Sequence, residues 1–423
     1  MPLRPEDLDR ATRAVLGREW MLHGHLQDRV GMALLLEVAD REAMQEVAIA
    51  EWQAASPVYT RRAQRAMRFS GDDVGTVFKG LQLDIGAPHQ FLDFRFTLHD
   101  RDRGEFFLAH CGALMDVEPM GEDFVHGMCH AIEDPTFDAT AGATNPRAQV
   151  RPLHRPPRVP ADRVPHCAWR VDVVADAPPV QPSPLEERVA ASAAARLPVS
   201  SYPDRHDGGM PDYSGDFDPG FCLEDLSGAA QQVVLDELAL QSHLLLRALL
   251  LAVSERYGVE LAERMLPRLV RGWSGLTAQR LRDAFALEED ADGVASLLAL
   301  HPVLAPVSYT GARVEVEDAR FVRLALDPAA PVAADADGAT WWGMPGLGDV
   351  LEAVVQAAFP RARLHPDGLL SYVLEVDPGA EPAPLAPEVR IAQISSGARF
   401  RFGVGRERSL PLLADRTTVQ THV

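Results

Sequence analysis

The chain has only four cysteines in 423 residues, too few to staple a secreted scaffold of this length. That scarcity predicts a thiol-reduced, cytoplasmic protein. Lysine is almost missing: Lys79 is the single one among 41 basic residues, against 61 acidic ones and a net charge of −20. Without a concentrated basic field, nucleic acid and anionic membrane surfaces are excluded as partners. Long apolar runs are missing too, since the longest, Leu244 to Val253, is interrupted by Arg247 and is too short to cross a bilayer. The start, Met1-Pro-Leu-Arg-Pro-Glu-Asp7, lacks the basic-then-apolar order of a signal peptide. There is no phosphate-cradling loop, dinucleotide fingerprint, nucleophile elbow, HExxH or CxxCH. What is present is a 47% hydrophobic composition, enough to bury a core. The arginine and alanine skew, with 33 prolines, reads as the codon bias of a GC-rich bacterial genome.

Periodicity predicts an α+β fold. Leu16, Trp20, Leu22, Leu26, Met32, Leu35 and Leu36 follow a helical spacing between Leu8 and Arg68. Phe91 to Leu98 and Glu105 to Cys111 alternate as two strands around the turn Asp100 to Gly104. Gly121 to Glu133 is helical and is expected to stop at Pro135. Cys167 to Val174 alternates again. The second half repeats this order. Glu19, Leu22, His25, Leu26 and Arg29 recur as Glu237, Leu240, His243, Leu244 and Arg247, and Trp52 is matched with Trp273. Arg95 to Asp100 matches Arg313 to Asp318, and His154 finds His365. The expected organisation is two tandem copies of a helices-plus-antiparallel-sheet module related by a pseudo-twofold. The boundaries are 1–175 for the Cys/His-bearing copy, 176–230 for a Pro/Ala/Gly-rich linker, 231–378 for a degenerate repeat and 379–423 for a C-terminal hairpin. Such an internal pseudo-dimer could act as a monomer.

Three cysteines adjoin histidines, as His110-Cys111, Cys129-His130 and His166-Cys167. Chance would place them so roughly once in a thousand sequences. Thiolate and imidazole are ligands for Zn or Fe, so Cys111, Cys129, Cys167 and His154 are the expected metal ligands. A bland alternative is that the cysteines are small core residues. Helical spacing puts His126, Cys129, His130 and Glu133 on one stripe, which nominates His130 and Glu133 for proton transfer. His23, His25, Arg155 and Trp169 are candidate substrate contacts. Asp116, Glu118 and Asp134 rank behind them, each more often surface or cap than active. The basic run Arg147, Arg151, Arg155 and Arg158 either binds a carboxylate or pairs with nearby acids.

The Trp20-Met-Leu-His-Gly24 segment, Cys111, Cys129, the stretch Asn145 to Pro157 and His166-Cys-Ala-Trp169 together form a pattern. It resembles bacterial proteins related to L-2-amino-thiazoline-4-carboxylic acid hydrolase, which are in turn similar to ligand domains of the 4-vinyl reductase and haem-NO-binding type. The resemblance implies an α+β ligand-binding module with a cysteine-lined pocket and ring-opening hydrolysis of a C–N bond. The resulting expectation is a metal-dependent hydrolase acting on a small carboxylate-bearing molecule. The alternative is a non-catalytic ligand-binding or sensor protein with the same cysteines lining its pocket.

Overall fold

Residues 1–203 and 207–405 are described by a computed structural model of the chain. Two long helices open it, α1 (Arg10–Leu35) and α2 (Arg41–Ala66). Asp9 and Asp40 start them by accepting the backbone N–H of Thr12 and Ala43, satisfying donors that an unextended helix end leaves free. After α3 (Val74–Leu81) come β1 (Leu92–Leu98), β2 (Arg103–Cys111), α4 (Gly112–Val117), α5 (Glu122–His126) and α6 (Glu133–Gly142). Strands β3 (Ala148–His154) and β4 (Cys167–Val173) complete a four-stranded antiparallel sheet in the order β1-β2-β4-β3. Phe106 pairs with Trp169, and Val150 with Val171. All four are buried, so alternation turns this face toward the helices.

The second half rebuilds the plan with α9 (Gly228–Tyr257), α10 (Val259–Ala284), α11 (Ala291–Leu300), α12 (Val307–Thr310), β5 (Ala312–Val316), β6 (Phe321–Leu326), α13 (Leu347–Ala358), β7 (Ala362–Pro366) and β8 (Ser371–Val376). Its sheet has the order β5-β6-β8-β7, again antiparallel. The fold is therefore α+β with two sheet-plus-helix modules.

The long helices pack mainly across the two modules, although α9 and α10 also meet one another. α2 packs chiefly on α9, α9 on α1, and α1 on α10, while α1 and α2 scarcely meet. Glycines permit the close approach of α1: a Cβ on Gly17, Gly24 or Gly31 would sit 2.6 Å from Leu223, 2.7 Å from Ile85 or 2.9 Å from Leu249. Two buried ion pairs join the modules in matching fashion. Arg62 donates through Nε and Nη2 to Glu237 at 2.9 and 2.7 Å. Arg280 donates in the same way to Glu19 at 2.7 and 2.8 Å. Each second-module residue lies 218 positions after its counterpart. One hydrophobic core runs through both halves. α9 is the only helix among the described residues long and apolar enough to span a membrane, and most of it is buried in this bundle.

Several expectations need correction. The helix expected to end at Pro135 continues to Gly142, through a π-helical turn at Gly127–Ile132. α2 and α10 each have 26 residues and begin 218 apart, so Trp52 corresponds to Val270 rather than to Trp273. Residues 176–230 are more than a linker. They carry α7 (Pro184–Ala190) and α8 (Ala193–Arg196) and bury Leu185, Val189, Tyr213 and Phe221. The C-terminal hairpin is not formed within the described residues: Pro387–Ala392 is a helix, α14, followed by a 3-10 turn at Ser396–Arg399. The rest of that expected tail, 406–423, lies outside the described residues.

These two segments play equivalent parts. Arg62 Nη1 donates to the carbonyls of Ala195 and Leu197, and Arg280 Nη1 to those of Gly397 and Phe400. Asp335 accepts from the N–H groups of Ala193 and Ala194. Asp116 accepts from Ser395 Oγ and the Ser396 N–H, both at 2.6 Å. Each strap thus ties one module to the other.

Candidate ligand pocket in the first module

A cavity of about 290 Å³ lies between α1, α2, the α5–α6 helix and the inner face of the first sheet. Ile391, Ile394 and Ser395 of the C-terminal strap close part of its rim. The wall is mostly apolar, with Trp52, Phe94, Phe124, Phe137 and Trp169 among the lining residues. That volume is near the lower limit of the roughly 300–1,000 Å³ typical of small-molecule sites.

The π-turn determines what the α5–α6 helix presents. Its wider turn inserts one residue into the helical repeat, so the expected stripe of His126, Cys129, His130 and Glu133 is divided. Cys129 is buried and Glu133 lines the cavity. His126 and His130 stay together with rings 4.4 Å apart, and His130 lies within 2.6 Å (Nε2) of the Pro156 carbonyl. His130 is not among the lining residues. The expected pairing of His130 with Glu133 in one site is therefore not what the fold builds.

Glu133 is the most distinctive group in the pocket. Its Oε2 is buried and has no hydrogen-bond partner among the described residues. Burial, reinforced by Asp134, raises its carboxyl to about 8, so at neutral pH it holds its proton. Cys111 caps α4, its Sγ accepting the Leu114 N–H at 3.3 Å, and it reaches the cavity wall. Burial pushes its thiol up to about 12. Burial raises Cys129 and Cys167 as well, with Glu133 adding to the effect in each.

The three cysteines therefore gather around Glu133 as neutral thiols, within electrostatic reach of one another. Cys167 pairs with Leu108 on the buried sheet face. His154 pairs with Ala168 across a bulge, and alternation turns Ala168 away from the face of Cys167 and Trp169. His154 is not a lining residue of the cavity. Among the described residues, no three of His, Cys, Asp or Glu stand close enough to hold a metal ion. Of the four residues expected to ligate Zn or Fe, His154 is the one set on the opposite sheet face from Cys167.

The substrate-contact candidates separate as well. His25 lines the cavity, with Nε2 3.1 Å from Arg29 Nη2. Burial, then Arg29, lowers its imidazole to about 3, leaving it neutral. Trp169 also lines the cavity, beside Cys167. His23 sits elsewhere, in the inter-module core, stacked 4.1 Å from the Trp273 ring with Nδ1 2.7 Å from Thr277 Oγ1. Its placement corrects the expectation of a substrate contact. Arg155 lies behind the wall, donating to Asp134 at 2.5 Å with its guanidinium 5.9 Å from the Trp169 ring. Arg151 and Arg158 pair with Asp138 and Glu118, so three of the four arginines in the basic run face acids.

Sequence reasoning missed the acidic end of the pocket. Asp28 and Asp84 line it, and Glu51 stands behind Asp28. Trp52 Nε1 donates to Asp28 Oδ2 at 2.8 Å, Gln27 to Glu51 at 2.8 Å and Tyr59 to Asp84 at 2.9 Å. Asp28 and Glu51 also hydrogen-bond one another, which requires a shared proton. Burial raises both, and it raises Asp84 to about 6. Asp28 falls one turn after Gly24 within an apolar helix, a position that helical spacing alone assigns to either core or surface. Comparison with protein-family models, curated proteins and solved structures finds no match.

Proposed function

We propose that the first module binds a small, largely apolar molecule in the cavity between its helices and sheet. The observation carrying this reading is a cavity of about 290 Å³ with aromatic walls and a buried Glu133 Oε2 that has no partner among the described residues. Fluorescence titration with 2-phenylethanol, reading Trp52 and Trp169, tests it. Saturable binding is expected, reduced at least tenfold by Met32→Trp, which adds a bulky ring at a partly exposed lining position. Absence of binding in the parent protein defeats the proposal.

Catalysis is the second reading, favoured by the protonated Glu133. A neutral carboxylic acid in a largely apolar pocket is suited to give a proton to a departing nitrogen, as hydrolysis of a cyclic C–N bond requires. Turnover of a thiazoline, reduced about 10²-fold or more in Glu133→Gln, supports that reading. Failure of every such heterocycle to turn over leaves the binding role. Metal dependence receives less support, because His154 stands apart from the three cysteines. The second module serves as scaffold in this reading, its site lost after duplication. A cytoplasmic setting suits a chain whose four cysteines are all free.

A further inference from the structure

This inference rests on the pocket proposed above and concerns what its ligand carries. The cavity has two chemically different ends. Near the thiols stands the solitary Glu133. At the other end are Asp28, Glu51 and Asp84, close enough that all three act on the Tyr59 hydroxyl. Their donors are few: Trp52, Gln27, Tyr59 and the Gly86 N–H. Asp28 Oδ1 and Glu51 Oε2 are buried and accept from no N–H among the described residues, so the proton shared between the two carboxyls is the only further donor for this pair. Arg29, the adjacent cation, is engaged by Asp116 at 2.9 Å. Buried carboxyls without enough donors are costly, and here they adjoin an open space rather than packed side chains.

We propose that the ligand is an organic cation, with an ammonium seated against Asp28 and Asp84 and an apolar body extending along the aromatic wall toward Glu133. The geometry supplies each requirement. A buried carboxylate gives a charge-assisted hydrogen bond, and Trp52 beside Asp28 offers a ring face to the same charge. A carboxylate-bearing ligand would meet the acids Asp28 and Asp84 at one end and find its nearest cation already paired. The Asp28–Glu51 pair shares a proton while the pocket is empty, whereas burial raises Asp84 only to about 6, which leaves it mostly ionised at pH 7. Seating an ammonium favours loss of the shared proton, so binding releases it to solvent.

Three probes of one shape separate the possibilities: 2-phenylethylammonium, 2-phenylethanol and phenylacetate, titrated calorimetrically at pH 7 in two buffers of different ionisation enthalpy. The ammonium is expected to bind at least tenfold more tightly than the alcohol, with net proton release, and phenylacetate most weakly. Asp28→Asn and, separately, Asp84→Asn should remove that tenfold preference while leaving the alcohol's affinity within about twofold. Retained alcohol binding shows that each variant still folds and keeps the cavity. If the alcohol or phenylacetate equals the ammonium in the parent protein, the cation inference is overturned and the pocket stands. Equal loss of ammonium and alcohol binding in both variants also overturns it, because the acids would then only shape the wall. If none of the three probes binds, the pocket proposal fails and this inference fails with it.

Discussion

The two modules use one frame but treat the space beneath their first helix differently. In the first, His25 and Arg29 border an open cavity, and Arg29 pairs with Asp116. In the second, the corresponding His243 and Arg247 face packed rings. Tyr309 and Trp341 lie 5.1 and 6.5 Å from the His243 ring, and Tyr309 donates to Asp335 at 2.8 Å. His243 Nε2 is 2.8 Å from the Ala305 carbonyl, whereas His25 meets only Arg29 through its Nε2. A shared framework therefore does not determine whether an interior is hollow. That is decided by the side chains delivered from the loops, here the segment carrying Trp341 and Trp342, both buried.

The largest expected effect comes from emptying the filled module. Trp341→Ala should cost about 3–5 kcal/mol in urea unfolding, the usual loss for a large buried ring. A cost under about 1 kcal/mol would show the second interior to be as loosely filled as the first. The matched ion pairs come next. Arg62→Ala and Arg280→Ala each leave a buried glutamate uncompensated, at about 3–5 kcal/mol. The two losses should agree within about 1 kcal/mol, and a large disparity would break the equivalence of the two inter-module joints.

A smaller effect depends on pH. The Glu133 carboxyl rises from 4.5 to about 8 on folding, so the folded state holds a proton that the unfolded chain releases. The stability this group allows is fully present below about pH 4.5 and declines as pH rises to about 8. Glu133→Gln should therefore leave unfolding unchanged at pH 4.5 and stabilise by a few kcal/mol at pH 9. Its second-module counterpart by helix position, Leu347→Ala, would show no such pH slope. Equal slopes in parent and Glu133→Gln melts would remove Glu133 as the buried acid. The smallest effect belongs to His154 and His365 near the ends of corresponding strands. Alanine at either should change stability by less than about 0.5 kcal/mol and leave 2-phenylethanol affinity unaltered. A strong loss of binding at His154 alone would restore it to the pocket.

Much of the frame was legible from residue spacing. The strands Arg95 to Asp100 and Arg313 to Asp318 fall on β1 and β5, and Glu19 and Glu237 occupy matched positions. Both signals are local: period-2 alternation for the strands, and helical repeat for the long helices. The stripe through Cys129 and Glu133 was only half legible, because a π-turn changes the repeat without a signature as plain as a glycine or proline. His23 and His25 show the same limit. They are two residues apart on one helix, and only the packing of α10 against α1 sends His23 into the inter-module core.

The sequence by itself determined the α+β class, the repeated order of elements and the presence of three His–Cys neighbours, since each is written in adjacent or regularly spaced residues. Tertiary structure alone decided that each module's second helix packs against the other module's first. It also decided that the three thiols lie as neutral groups within electrostatic reach of Glu133, and that Asp28 and Asp84 line one cavity with Glu51 behind Asp28. The physical reason is that burial and long-range partners set charge and proton occupancy. Residues 23 to 56 positions apart, such as Asp28, Glu51 and Asp84, acquire a common environment only when the chain folds.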